Sequence, residues 1–380
     1  MNEKEIAELR RRLRPDRHNI THIRGCYVNE RREIIAQFDE SMGLMPVEDA
    51  EKYLALFRRV LTGAIGRNLI DVTFRTQQVV DSDEHRLLMG LRDTALEDDN
   101  TVHAFFSRVI STLDLEGNSL ILLTYNTYDV PYRGGDGEIQ QDNASEQFRY
   151  VLCAVCPVKE TKPTLNYLSR ESRFHIAAAN QVVGAPELGF LFPAFDDRAT
   201  NIYNALYYTH DLTGHHQDFV DLIFHTALPK PAMVQRETFQ TMLGETLEEE
   251  CGLPLVQAVQ DHLSTMIDNH KESREPEPLT ISKRGLEAVL TASGVSQKRL
   301  AAFDARFNVE FGEDAQLSPQ NLVDTKRLEV KAPDIVIQVS PEHSNLIQTR
   351  IVDGAKCIVI RVSDGVEVNG VPICIPEENA

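Results

Sequence analysis

The chain has 380 residues, 42% of them apolar and 26% charged, with 39 basic against 58 acidic side chains and a formal net charge of −19. A chain this apolar can bury enough surface to offset its ordering entropy, which excludes general disorder and sets an expectation of two domains and a connector. No stretch approaches the roughly 20 consecutive apolar residues that cross a bilayer, and the leading MNEKEIAELRRRLRP lacks a signal-peptide core, so a cytoplasmic protein with no membrane contact is expected.

Residues 1–32 carry nine basic and five acidic side chains, a net +4 that leaves −23 for the remainder. Arg10, Arg11 and Arg12 follow Glu3, Glu5 and Glu8 at near-helical spacing, so a solvated, ion-paired helix competes there with a phosphate-binding face. Val47, Ala50, Leu54, Phe57, Leu61 and Ala64 recur at steps of three and four, which predicts a helix over 46–65 opened by Pro46. NLIDVTF reads as a strand, and HRLLMGLRDTAL and TVHAFFSRVISTL read as helices. SLILLTY and QFRYVLCAVCPV read as partner strands, joined by a long Gly-rich polar loop over 129–146 that could act as a lid or partner-binding element. ELGFLFPAFDDRATNIYNALYYTH reads as a strand followed by a helix that begins near Arg198, capped by Asp196 or Asp197.

The expected architecture is α+β. Residues 1–228 form a domain with a mainly antiparallel sheet and packed helices, and 229–278 form a helical connector with a charged, Pro-containing linker. Residues 279–380 form a C-terminal domain of two helices, Ser282–Ala292 and Ser296–Phe311, and a β meander with turns at Asp353-Gly354 and Asn369-Gly370.

Cys153 and Cys156 sit in an apolar strand, where residues three apart face opposite sides, so they read as buried thiols and not a redox or zinc pair. All six cysteines are expected to be reduced. His210, His215, His216 and His225, beside Asp211 and Asp218, lack a known ligand frame and read as a solvated loop. Glu329, Lys331 and Asp334 resemble a nuclease metal motif with its order reversed, and a cross-strand charge pair is the better reading. No catalytic residue, metal site or cofactor is assigned. Gly134-Gly135-Asp136-Gly137 is not followed by Lys-Ser/Thr and is not a phosphate loop.

The blocks NITHIRGCYV, TGAIGRNLIDVTF, GFLFPAFDDRATNIYNALYYT and DTKRLEVKAPDIVIQVSPEHSNLIQTR together resemble the clostridial domain-of-unknown-function family 4317 over nearly the whole chain, a resemblance that implies no activity. The order of elements, with FFSRVISTL before SLILLTY, then FRYVLCAV, GFLFPAFDDRATNIYNALYY and a helix-plus-hairpin tail, is similar to that of the 37-kDa nucleoid-associated protein family. That second resemblance implies a non-enzymatic, dimeric, DNA-associated protein and transfers no contact residue.

The leading expectation is therefore a nucleoid-associated or DNA-binding (or RNA-binding) homo-oligomer. Its phosphate contacts would come from Arg10, Arg11, Arg12, Arg14, Arg17 and Arg24, with Lys283, Arg284, Lys298 and Arg299 at two helix starts. Two alternatives stand beside it. One is a metal-dependent enzyme on nucleic acid or nucleotide that uses some of Asp196, Asp197, Glu329, Lys331 and Asp334. The other is an acidic scaffold that recruits a basic protein partner.

Overall fold

Two long strands between residues 118 and 160 organise the first half of the chain, because their side chains at 120–123 and 151–156 are apolar on both faces and demand cover on both. The computed structural model describes residues 1–133, 139–177, 179–273, 278–325, 327–362, 365–368 and 370–374. It divides into two units, Met1–Val234 with Pro276–Pro278, and Gln235–Glu275 with Leu279–Ala380.

In the first unit the elements run α1 (Glu3–Arg12), β1 (His22–Val28), β2 (Ile34–Ser41), α2 (Val47–Val60), β3 (Leu69–Thr73), α3 (Thr76–Asp81), α4 (Asp83–Asp93), α5 (Asp99–Thr112), β4 (Asn118–Arg133), β5 (Ile139–Glu160), β6 (Thr164–Leu168), β7 (Arg173–Ala177), β8 (Gln181–Val183), β9 (Leu188–Phe192), β10 (Ala194–Asp196), β11 (Ala199–Asn201), β12 (Asn204–Thr209) and α6 (Gln217–Ile223). One sheet has the order β2-β1-β4-β5-β9-β12-β3, with β8 also on β5, and every pairing in it is antiparallel.

Helices cover both faces of this sheet. Ile6 and Leu9 of α1 and Leu54 and Phe57 of α2 share a core with Leu122, Leu152 and Cys156. Leu88 and Leu91 of α4, Phe105 and Val109 of α5 and Phe219 of α6 share the opposite core with Ile121, Leu123, Cys153 and Phe190. At Gly189 the approach of β5 and α2 leaves no room for a side chain: a Cβ would lie 2.3 Å from the Cys153 carbonyl oxygen and 2.9 Å from Val60.

Two expectations for this unit are corrected. The helix expected near Arg198 does not form. Asp197 and Arg198 have φ of 49° and 60°, the left-handed pair that closes a two-residue hairpin, and β10 pairs with β11 across them. Asp196 therefore accepts a hydrogen bond from Asn201 Nδ2 at 2.7 Å and caps nothing. NALYYT then alternates as β12, with Tyr207 in one core and Leu206 and Tyr208 in the other.

The second correction concerns the loop expected at 129–146, most of which is hairpin, since β4 runs to Arg133 and β5 starts at Ile139. Its register shifts on both sides of Pro131, where the missing N–H breaks the ladder. The Gly-rich tip, Gly134-Gly135-Asp136-Gly137, lies outside the described residues.

The second unit runs α7 (Ala232–Leu247), α8 (Leu253–Ser273), β13 (Ile281–Ser282), α9 (Lys283–Ala292), α10 (Gln297–Glu310), β14 (Gln316–Leu317), α11 (Pro319–Leu322), β15 (Leu328–Ala332), β16 (Ile335–Val339), β17 (Ile347–Val352), β18 (Ala355–Ile360), β19 (Glu367–Val368) and β20 (Val371–Pro372). The stretch expected as a connector supplies part of this unit's core: Phe239 and Met242 of α7 and Val259 and Leu263 of α8 cluster with Leu286, Leu290, Phe303 and Phe307 of α9 and α10. Ser282 caps α9 by accepting from Gly285 N.

The tail departs from the expected single meander. It forms three separate two-stranded hairpins, β15-β16, β17-β18 and β19-β20. Asp353 and Gly354 take φ of 50° and 80° at the β17-β18 turn, as that dipeptide favours. Asn369 lies outside the described residues.

Candidate nucleic-acid interface

The basic residues at the N-terminus are largely engaged within the first unit. Asn2 and Glu5 form a reciprocal capping box on α1. Arg10 Nη1 reaches the Leu61 carbonyl at 3.5 Å, and the Arg12 guanidinium lies 4.2 Å over the Tyr128 ring. Arg17 pairs with Asp16 at 3.5 Å. Arg24 on β1 is held by Asp39 at 3.1 Å and by Asp99. Arg11 and Arg14 are exposed and make no ion pair among the described residues.

The intrahelical ion pairing expected of α1 does not form, because Glu8 turns to Arg198. The Arg198 Nη1 donates to both Glu8 oxygens at 2.7 and 2.5 Å, and Tyr128 OH donates to Glu8 as well. Burial raises the Glu5 carboxyl above its usual range, against hydrogen bonds from the Asn2 and Arg198 amides.

In the second unit, Lys283 Nζ contacts Asp304 at 2.6 Å and Asn308 at 2.9 Å, and Arg299 pairs with Glu248. Arg284 and Lys298 are exposed. A cavity of about 380 Å³ at the start of α9 is lined by Lys283 and Arg284, but also by Glu313 and Asp314, which oppose an anion there.

The remaining candidates are structural in their contacts. Cys153 and Cys156 point into opposite cores. Burial raises both thiols, Cys156 to about 12, which keeps them protonated and unreactive. All six cysteines are free thiols. The loop expected to be solvated at His210–His225 contains a buried His215, whose Nε2 donates to Pro229 O at 2.7 Å, while its own carbonyl accepts from Tyr207 OH at 2.8 Å. His216 Nε2 stands 3.9 Å from Glu187.

The carboxylates of the enzyme alternative fall in different units. Asp196 and Asp197 sit at the β10-β11 turn, whereas Glu329, Lys331 and Asp334 sit on the β15-β16 hairpin. Glu329 pairs with Lys331 along its own strand at 2.7 Å and accepts from Gln338 across the hairpin, so the charge pair is not the cross-strand one expected. Among the described residues no group of three or more His, Cys, Asp or Glu side chains could hold a metal ion.

The most distinctive surface lies where the sequence reading assigned nothing. The pairing of β5 with β8 carries through, in unbroken register, into β6 and β7, with Thr161 N donating to Asn180 O at 2.9 Å between the two ladders. The result is a two-stranded ribbon whose residues 161–176 are exposed on both faces, apart from a half-buried Leu168. From Thr161 to Leu168 it extends about 25 Å at the usual strand rise. Its four-residue turn is closed by Glu171 N bonding Leu168 O at 3.1 Å.

The two faces of the ribbon differ sharply. Leu165 opposes Ile176 and Tyr167 opposes Phe174, so one face is wholly apolar, with 54–70% of each side chain in water. The other face and the turn carry Asn166, His175, Arg170 and Arg173. Residues 159–177 hold Lys159, Lys162, Arg170 and Arg173 against Glu160 and Glu171, a net +2. Arg173 is paired with Glu171 at 2.7 Å, an exposed contact worth little to either residue. The alternating apolar residues in TLNYL and RFHIA, around the polar SRES, were the signal that could have located this hairpin.

A family model described as "Domain of unknown function (DUF4317)" matches residues 1–371. No curated protein matches the chain.

Proposed function

The chain belongs to the DUF4317 family, and from that premise we propose that it is a nucleic-acid-binding protein that contacts phosphates through the polar face and turn of the β6-β7 ribbon. The observation that carries this reading is a locally basic, two-faced ribbon extending from an acidic chain. A body of strongly negative charge repels a polyanion, but that repulsion is screened over about 8 Å at physiological ionic strength. A ribbon about 25 Å long places Arg170 and Arg173 beyond that distance from its root.

A two-stranded ribbon also has the cross-section that the major groove admits. Lys162, Arg170 and Arg173 supply phosphate contacts, and Asn166 and His175 add hydrogen-bonding groups on the same surface. Arg11 in the last turn of α1 and Arg14 just after it, which make no ion pair among the described residues, and Arg17, whose pair with Asp16 is exposed, are the next candidates for phosphate contact, ahead of Arg10, Arg12 and Arg24, whose side chains are engaged within the unit. Binding of this kind is salt-dependent and largely independent of sequence.

The test is a fluorescence-anisotropy titration of labelled duplex DNA and single-stranded RNA at low salt. Wild type should bind with a dissociation constant on the order of 10⁻⁴–10⁻⁶ M at physiological salt and more tightly at low salt. The triple variant Lys162→Glu/Arg170→Glu/Arg173→Glu should bind more weakly at low salt and lose binding at physiological salt. Absence of binding to either nucleic acid, or equal binding by the variant, refutes the reading.

A further inference from the structure

Leu165, Tyr167, Phe174 and Ile176 present an apolar face that is 54–70% exposed to water, and toward the root Lys159, opposite Val182, bounds it. A two-stranded hairpin is marginal in water by itself and gains stability when one face is covered. The face has no charged group among its four central side chains, so its natural cover is another apolar surface and not a polyanion.

We propose that the cover is the same face of a second copy of this chain, packed across a two-fold axis so that the two ribbons stack into a four-stranded, two-layer arm. Two observations favour a second copy. The first is shape. The tip of the face is aromatic, with the Tyr167 and Phe174 rings 5.2 Å apart, and its root is aliphatic, with Leu165 opposite Ile176. A two-fold axis that runs the ribbons in opposite directions lays each aromatic pair over the other copy's aliphatic pair, which is the self-complementarity an isologous interface requires.

The second observation is area. Side chains of this size cover on the order of 150–250 Å² each. At their exposures the four leave roughly 500 Å² open per copy, so pairing removes about 1,000 Å² from water, the lower bound for a specific interface. The same packing turns Arg170, Arg173 and His175 of both copies outward.

The inference concerns the face opposite the phosphate-contacting one, and the two readings fail separately. The experiment is the molar mass of the full-length chain in solution, by light scattering after size exclusion, with far-UV circular dichroism as the check on folding. Wild type should run at twice 42.9 kDa. Leu165→Ser/Phe174→Ser and, independently, Tyr167→Lys should run at the monomer mass with the helical signal of the spectrum retained, because these side chains are not part of either core of the first unit. Lys162→Glu/Arg170→Glu/Arg173→Glu should remain dimeric. A monomeric wild type, or a dimer that survives both apolar-face substitutions, overturns the proposal, including the case in which the face instead serves as a stacking platform for bases.

Discussion

Replacing Arg198 with Ala isolates the contact that ties α1 to the β10-β11 turn. Arg198 donates to both oxygens of Glu8 at 2.7 and 2.5 Å and to Pro131 O at 3.3 Å, and the two ion-pair side chains are only 21% and 22% exposed. Removing the guanidinium leaves Glu8 with the Tyr128 hydroxyl in a site where water returns incompletely. Breaking a fully buried pair costs about 3–5 kcal/mol. The residual exposure here brings the expected loss to about 2–3 kcal/mol. The backbone is not expected to offset this, because alanine meets the same left-handed φ of 60° as arginine does.

For a unit of this size that loss corresponds to a fall of about 5–10 °C in midpoint. Urea and thermal unfolding of wild type, Arg198→Ala, Glu8→Gln and the double variant give both the loss and the coupling between the partners. A loss of under about 0.5 kcal/mol, within the range of an exposed pair, or independent effects of the two substitutions, would refute the claim that this pair anchors α1.

Three further outcomes follow from buried groups. Tyr150→Phe should destabilise the first unit by about 1–3 kcal/mol, since Asn126 Nδ2 donates to Tyr150 OH at 2.7 Å in the core and would be left without that acceptor; an unchanged urea midpoint contradicts this. Gly189→Ala should prevent close packing of β5, β9 and α2 and cost about 1–3 kcal/mol or more, measured by the same unfolding assay; a stabilised variant would mean that β9 can shift.

The third concerns pH. Burial lowers the pKa of His215 from 6.5, only partly offset by the Pro229 and Lys230 carbonyls. The unfolded chain therefore binds a proton that the native state resists. Stability from this group is present above pH 6.5 and is lost as pH falls below it. His215→Asn should flatten the decline in midpoint between pH 6.5 and 5; an unaltered slope would assign that decline to other groups.

Much of the first unit was legible because its signals are local. The stripe at Ala50, Leu54, Phe57 and Leu61 predicted α2, the opposite facing of Cys153 and Cys156 followed from strand geometry alone, and Asp353-Gly354 marked its turn. Segment 194–209 was misread because DDRATNIYNALYY carries a capping pattern and helix-compatible spacing, while the hairpin depends on Asp197 and Arg198 accepting left-handed φ with support from Glu8, far away in sequence. The connector reading of 229–278 was a matter of where apolar faces find cover, which Phe239, Met242 and Leu263 settle only through Phe303 and Phe307.

The same limit applies to the site. Counting arginines located the N-terminal segment as basic but could not show that Tyr128, the Leu61 carbonyl, and Asp39 with Asp99 occupy three of them, Arg12, Arg10 and Arg24. The net +2 at 159–177 is small beside the +4 at the N-terminus, and its weight comes from the two exposed faces of the ribbon, a tertiary property.

The most direct test of the central claim is the slope of log binding constant against log salt for duplex DNA, measured by anisotropy on wild type and on Lys162→Glu/Arg170→Glu/Arg173→Glu. Each phosphate contact contributes about −0.9 to the slope. The account predicts a salt-dependent wild type and a variant whose slope is shallower by about 2–3, with binding lost at physiological salt. A wild type that does not bind at low salt, or a variant with the same slope, contradicts it.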